Sequence, residues 1–402
     1  MSFKKKKGQG FRPPKKIEEY WNLYKKDIYV EKPDRRMPPW FAPLIVFLLI
    51  VALIFWAAPM ALSRLQIDIG KDDGEGNTVE YLYDDSFRAV RQPVADIFVQ
   101  PDIKSRRLAQ ALYNEPVQLQ NENLTWGFNQ VRLPDGTSGY MLSSDLSADK
   151  DSLEPGLGFF KVIVVQSAKR IMSHARSGTM LVEVMMGTEL IADYRGDGIL
   201  RLRLPDGQFG WASENGMMVI DAEQDIEIAP DGARYFCSSA MTFHSVTVLA
   251  KGQSRSGIST EGIARIAGIV NGIALPRSMK EQMSSGQPVP LEYESLPTQN
   301  EDETDDNTES SDTDTEETAE GPVQKTPLKL DILQPADLVF ADDAANPGEP
   351  VSMAIVMENG QFLMARPDRQ SIQLVDPLQM PGWTERIIAV RRLYPEQEKV
   401  VQ

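Results

Sequence analysis

The pentapeptide Arg-Leu-Pro-Asp-Gly stands at 132–136 and again at 203–207, an offset of 71 residues. The match extends outward: TWGFNQVRLPDGTSGYMLSSDL (125–146) recurs as GDGILRLRLPDGQFGWASENGM (196–217), and Tyr140 and Trp211 share the same offset. Apolar residues alternate before each Pro-Asp-Gly, the period of a strand with one buried face. Asp-Gly then sets a tight hairpin turn, and a glycine precedes the aromatic that opens the next strand. Further strands near Val117–Leu119 and Thr179–Met185 complete each unit. The pattern predicts two small antiparallel β units in tandem.

Ahead of them lies FAPLIVFLLIVALIFWAAPMAL (41–62), 22 residues without a charge. At about 1.5 Å per residue a helix of this length spans the roughly 30 Å hydrocarbon layer. Trp40 and Trp56 are placed as interfacial anchors, Pro43 falls in the first turn and Pro59 in the last. Residues 1–40 carry twelve Lys/Arg against five acids, while Asp68, Asp72, Asp73 and Glu75 follow the span. The positive-inside rule therefore predicts a single-pass cell-membrane protein with a cytoplasmic tail (1–40) and an extracytoplasmic bulk. The apolar run is about twice the usual signal-peptide core and starts about forty residues in, which favours a retained anchor. Residues 63–93 read as a juxtamembrane linker. The basic tail fixes orientation and is also suited to anionic headgroups or a cytoplasmic partner.

The 402 residues carry 42 Lys+Arg and 58 Asp+Glu, a net charge of −16. Such acidity disfavours nucleic acid as a partner. A single Cys and two His exclude a disulfide framework and a four-Cys zinc site, and no metal or cofactor is expected.

The repeated segments resemble bacterial SH3-like domains, whose W…V.L.DG..GY/W pattern closes a small barrel; the resemblance covers 94–147 and 160–221. It implies modules that attach to cell-wall peptides or brace a neighbouring enzyme. An aromatic after such a glycine normally packs in the barrel interior. Tyr140 and Trp211 are thus read first as core and second as ligand contacts.

Two later blocks, VLAKGQSRSGISTEGIARIAGIVNGIALPRSMKEQMSSGQPV (248–289) and LQPADLVFADDAANPGEPVSMAIVMENGQFLMARP (333–367), resemble the NlpC-type (p60-like) cell-wall cysteine peptidases. The resemblance implies a papain-like α+β domain over 235–395. It is carried by Gly257, Ile258, Gly262, Gly272, Ile273, Leu275, Pro276, Arg277, Gln282, Pro335, Asp337, Leu338, Val339, Phe340, Ala354, Ile355, Gly360, Phe362 and Ala365.

The family's chemistry is missing from these blocks. Thr260 stands in the slot of the nucleophilic Cys, with Ser259 for Asp and Glu261 for Ser beside it. Ser352 replaces the strand His and Met364 the second His, and no His occurs from Ser245 onward. A thiol of this type needs an imidazole to ionise it and to protonate the leaving amine. The implied reading is a catalytically degenerate domain. Ser259, Thr260, Glu261, Arg277, Ser352 and Met364 are then candidates for a peptide-binding groove. Cys237 paired with His244 is the alternative site, and His174 reads as a surface or packing residue. Glu261 and Asp337 as a carboxylate pair have no further support.

Between the blocks, residues 299–321 hold eleven acids and no base. Such a stretch buries too little apolar area to offset its ordering entropy and is expected to be a disordered spacer. It lacks calcium-loop spacing. The resulting expectation is an α+β, membrane-anchored pseudo-peptidase of the bacterial cell wall, without a cofactor. Its partner would be a peptidoglycan stem peptide, or a cell-wall hydrolase or assembly protein. The alternatives are an active endopeptidase with relocated residues and a scaffold linking cytoplasm to wall.

Overall fold

A computed structural model describes residues 83–292, 329–366 and 368–395. The anticipated tail (1–40), span (41–62) and acidic insert (299–321) lie outside these residues, as does the linker up to residue 82. No helix of the described residues is long and apolar enough to cross a membrane.

The first sheet comprises β1 (Phe87–Ala89), β2 (Val94–Phe98), β3 (Arg107–Leu112), β4 (Pro116–Thr125), β5 (Phe128–Arg132) and β6 (Ser138–Leu142), in the spatial order β1-β4-β5-β6-β2-β3. The second comprises β7 (Phe160–Val164), β8 (Ala168–Met172), β9 (Met180–Met185), β10 (Glu189–Gly196), β11 (Ile199–Leu204), β12 (Gln208–Ser213) and β13 (Met217–Asp221). Its order is β13-β7-β10-β11-β12-β8-β9. Without β13, the two orders are identical strand for strand. The sequence repeat therefore marks only the best-preserved hairpin of a six-strand unit that occurs twice. Strand β1, paired with β4 from Phe87↔Gln118 to Ala89↔Pro116, lies inside the segment expected to be linker, so the first unit begins earlier than residue 94. Three residues are too few to show a period, which is why the sequence hid it.

Each unit has its own core. Val90, Ala95, Ile97, Val117, Val131 and Met141 fill the first, and Val162, Ile171, Leu190, Leu200, Leu202 and Ala212 the second. The aromatics expected in these cores are outside them. Tyr140 and Trp211 are only partly buried, and Met141 and Ala212, one residue on, point inward. The pleat explains this correction, because the preceding glycine already occupies an inward position. A Cβ on Gly139 would lie 2.6 Å from Ile97 Cγ2 and 2.7 Å from the Phe98 carbonyl; one on Gly210 would lie 2.3 Å from Ile171 Cγ2. In both units the glycine thus lets the central hairpin close onto the strand beside it.

The C-terminal part begins with α1 (Gly232–Met241), then β14 (Gln253–Ser254), β15 (Gly257–Ile258), α2 (Thr260–Ile269), α3 (Met279–Gln282) and β16 (Gln287–Pro288). It continues with β17 (Leu338–Ala341), β18 (Ser352–Val356), β19 (Phe362–Arg366), β20 (Ser371–Val375), α4 (Pro381–Thr384) and β21 (Ile387–Arg392). Its main sheet runs β16-β21-β17-β18-β19-β20, antiparallel at every paired step. Residues alternate between its two faces. Leu338, Phe340, Met353, Ile355 and Leu363 pack with α1 and α2, whereas Val339, Ala354, Val356, Phe362 and Met364 form a separate cluster with Met380 and Trp383. Ser259 caps α2 by accepting the Gly262 N–H, and Ile263, Ala264, Ile266 and Ala267 are completely buried along the helix. The α1–α2 core also takes in Leu112, Ile163, Met185 and Met186 from the two repeats, so all three parts share one apolar junction inside the compact unit Tyr81–Gln402.

Replacing Gly139 or Gly210 with Ala is expected to destabilise the chain by about 1–3 kcal/mol through overpacking, seen as a lower urea midpoint with unchanged slope.

Candidate functional site

Thr260 opens α2 and is 3% exposed; its Oγ1 accepts the Ala365 N–H at 2.9 Å. The hydroxyl expected at the nucleophile position is thereby tied to the backbone of β19. Its flanks are equally enclosed: Ser259 is the helix cap, and Glu261 is 6% exposed and meets Lys251 Nζ at 3.2 Å. Lys251 itself holds a left-handed backbone (φ 61°), just before Gly252, whose carbonyl is approached by Ser259 Oγ at 3.5 Å.

Ser352 and Met364 do not join this group. Ser352 Oγ accepts the Trp383 indole N–H at 2.8 Å, and Met364, 5% exposed, belongs to the cluster that contains Trp383. Both side chains thus lie toward Trp383, while the Thr260 hydroxyl meets the N–H of Ala365, the residue after Met364. The expectation of one open groove lined by all six residues is corrected: Ser259, Thr260, Glu261, Arg277 and Met364 are buried, and Ser352 is held by Trp383.

Cys237 is buried in α1, with its Sγ donating to the Val356 carbonyl at 3.5 Å. Burial pushes its thiol up to about 11, the reverse of what an attacking sulfur needs. A cavity of about 660 Å³ adjoins it, between Arg234, Met241, Met357 and Leu374. His244 turns Nδ1 to Ser245 Oγ at 3.1 Å and His174 to Ser173 Oγ at 3.0 Å. Each imidazole thus meets the hydroxyl next to it in sequence, and the thiol faces a peptide carbonyl. Asp337, fully buried, accepts from Arg392 at 2.9 and 3.1 Å and from the Gln334 N–H at 2.9 Å. It closes a turn and is no partner of Glu261.

Among the described residues, the densest charged constellation joins Arg277 to partners that the sequence did not single out. Arg277, in the Leu-Pro-Arg segment, is 5% exposed and forms ion pairs with both Glu115 and Asp135. Its Nε donates to the Gln110 carbonyl at 3.2 Å. Glu115 also accepts from Arg265 at 3.0 Å, and Arg265 reaches Gln253 at 2.7 Å. The Gln253 N–H donates to Gln110 at 2.9 Å, and Gln110 donates to Asp96 at 2.8 Å. Glu115, Asp135, Arg265 and Arg277 border a cavity of about 250 Å³. Burial alone would raise the Glu115 carboxyl, but Arg277, Arg265 and the Leu112 N–H hold it below its ordinary value. At Asp135, likewise, burial is outweighed by Arg277 and the Thr137 N–H.

Asp135 is the aspartate of the first Arg-Leu-Pro-Asp-Gly. Its counterpart Asp206 accepts the Ala148 N–H at 2.9 Å and pairs with Arg91 at 3.3 Å. Each turn aspartate therefore binds a different part of the chain. The only sequence signal is the repetition of Asp at the turn, and hairpin geometry alone accounts for it.

No family model matches the sequence, and no curated protein does either. Among solved structures, an NlpC/P60 family protein of Bacillus cereus ATCC 10987 aligns over 77% of this chain and 100% of its own, with a TM-score of 0.60 at 16% identity. The chain has an NlpC/P60-type fold. An NlpC/P60 endopeptidase of Photobacterium damselae subsp. piscicida aligns over 78% of this chain and 68% of its own, with a TM-score of 0.44 and 11% identity. The NlpC/p60 domain of the peptidoglycan hydrolase SagA aligns over 40% and 98%, with a TM-score of 0.26 and 14% identity. Within this fold, Arg277 is a clasp between the C-terminal part and the first repeat.

Removing one partner of a buried pair leaves the other charge uncompensated, so Arg277→Ala is expected to cost about 3–5 kcal/mol, read by urea denaturation. The folded carboxyls of Glu115 and Asp135 are depressed. Their contribution is therefore complete above the unfolded values near 4 and is lost as pH falls through the folded ones. Stability measured from pH 6 downward should decline below about pH 4, and less so in Asp135→Asn.

Proposed function

We propose that this chain is a membrane-anchored, extracytoplasmic protein of the bacterial cell wall that binds peptidoglycan peptides or a wall-associated partner without cleaving. The reading takes residues 41–62 as a retained span, the two repeated sheets as SH3-like barrels and the C-terminal part as a catalytically degenerate NlpC-type domain. The observation that carries it is the state of Thr260. A hydroxyl replaces the family's thiol, accepts a backbone N–H in a buried setting, and has no imidazole from Ser245 onward. General-base assistance is typically worth about 10²–10⁴ in rate, and an unassisted threonine is a poor nucleophile.

The degenerate reading is also favoured by the way the scaffold survives. Gln282, completely buried, donates to the carbonyls of Glu261 and Pro276 at 2.9 and 2.7 Å, holding the strand-to-helix entry in place. Core, cap and turn residues are kept where nucleophile and bases are not. A fold that persists without its chemistry serves as a binding or regulatory unit, an inference from analogy of fold. The rival enzyme built on Cys237 and His244 is disfavoured by the raised thiol and by the separate partners of the two side chains.

The full chain, incubated with peptidoglycan, is expected to pellet with it and to release no new amino groups. Thr260→Cys should remain inactive, since the imidazole is still missing. Amine release by the wild type that disappears in Cys237→Ala would overturn the non-cleaving reading. Under native conditions Cys237 should resist iodoacetamide and react only on unfolding.

A further inference from the structure

The outer face of the second sheet carries an aromatic row that the first sheet lacks. In register, Arg201 of β11 faces Tyr194 of β10 on one side and Trp211 of β12 on the other, and Arg203 faces Phe209. Tyr194 and Phe209 are 42% and 50% exposed, large values for aromatic side chains in strands. The Tyr194 and Trp211 rings meet edge to face, with centroids 5.9 Å apart. The Arg201 guanidinium lies 5.3 Å from the centre of the Phe209 ring and is held by Asp193 through two hydrogen bonds of 2.7 and 3.0 Å. Trp211 also borders a pocket of about 450 Å³.

The first sheet serves as an internal control. The matching register there places Gln130 between Asn121 and Tyr140, with Ser138 opposite Arg132. Since the same strand order forms with Asn121 and Ser138 in place of Tyr194 and Phe209, folding does not require those two aromatics. Charge narrows the ligand. Arg201 is paired with Asp193 and Arg195 with Glu214 at 2.8 Å, and Arg203 donates to the Glu154 carbonyl, so the face offers at most one uncompensated charge to a polyion. What it offers is flat π surface beside planar, fixed hydrogen-bonding groups. A pyranose ring is the complement, with C–H groups on its faces and hydroxyls around its rim.

We propose that Tyr194, Trp211 and Phe209, with the Arg201–Asp193 pair, form a platform that stacks the sugar rings of a neutral polysaccharide strand. The proposal deepens the wall-binding reading and rests on it for the source of the polymer, though not for the chemistry of the face. The probe is chitotetraose, a soluble chain of four β-1,4-linked N-acetylglucosamines, titrated into the full-length protein by calorimetry and indole fluorescence. Retention on purified peptidoglycan is measured in parallel.

The triple variant Tyr194→Asn, Arg201→Gln, Phe209→Ser installs the residues of the first sheet, and Phe209→Ser alone is the second variant should the triple one not fold. Wild type is expected to bind with a change in indole emission, the triple variant about tenfold more weakly or not at all, and Phe209→Ser in between. Equal binding by wild type and either folded variant would overturn the platform. A wild-type chain retained on peptidoglycan but indifferent to chitotetraose would also overturn it, leaving the wall-binding reading intact. Binding of chitotetraose lost in the variants, with no retention on peptidoglycan, would support the platform and sink that reading.

Discussion

The buried clasp around Arg277 is the interaction on which the described architecture depends. One guanidinium from the NlpC/P60-type part takes two carboxylates from the first repeat, Glu115 beside β4 and Asp135 in the β5–β6 turn. A cation so enclosed is tolerated only when its charge and its donors are both matched. Arg265, Gln253, Gln110 and Asp96 extend the matching outward from it. Beneath this polar layer the apolar junction of Leu112, Met185, Met186, Ile263 and Ile266 removes the same surfaces from water. The ion pairs fix orientation, and the apolar layer supplies the non-directional attraction.

The chain carries two sheets of one strand order, put to different uses. Both need a glycine where the hairpin meets its neighbouring strand, and both carry an aspartate at the Pro-Asp-Gly turn. One aspartate engages the C-terminal part through Arg277, and the other engages the first repeat through Arg91 and the Ala148 N–H. The outer faces have diverged further, polar in the first sheet and aromatic in the second. Interior positions are constrained by packing in every copy, whereas outward ones are free to change with whatever they touch.

Much of the fold was legible because its determinants are local. The repeat announced the β5–β6 and β11–β12 hairpins, since alternation and Asp-Gly turns act over a few residues. Gly257, Gly262 and the Leu-Pro-Arg run pointed to the NlpC-type scaffold by their spacing. The candidate site was legible only as an inventory: Thr260, Ser352 and Met364 carry neither thiol nor imidazole, yet nothing in their spacing told which partner encloses each side chain. The three-residue β1 was invisible, and the interior role expected of Tyr140 and Trp211 failed because the glycine had already taken the inward place.

The sequence by itself determined the repeat, the hairpin turns, the charge balance and the absence of a histidine after His244, all properties of residue identity and near-neighbour geometry. Tertiary structure alone decided that Arg277 joins two parts of the chain, that Thr260 is closed off by Ala365, and that Ser352 and Met364 pack toward Trp383. The reason is physical: these outcomes depend on side chains about 30 to 170 residues apart, such as Arg277 and Gln110. Their meeting is fixed by how layers pack, and no short-range pattern records it.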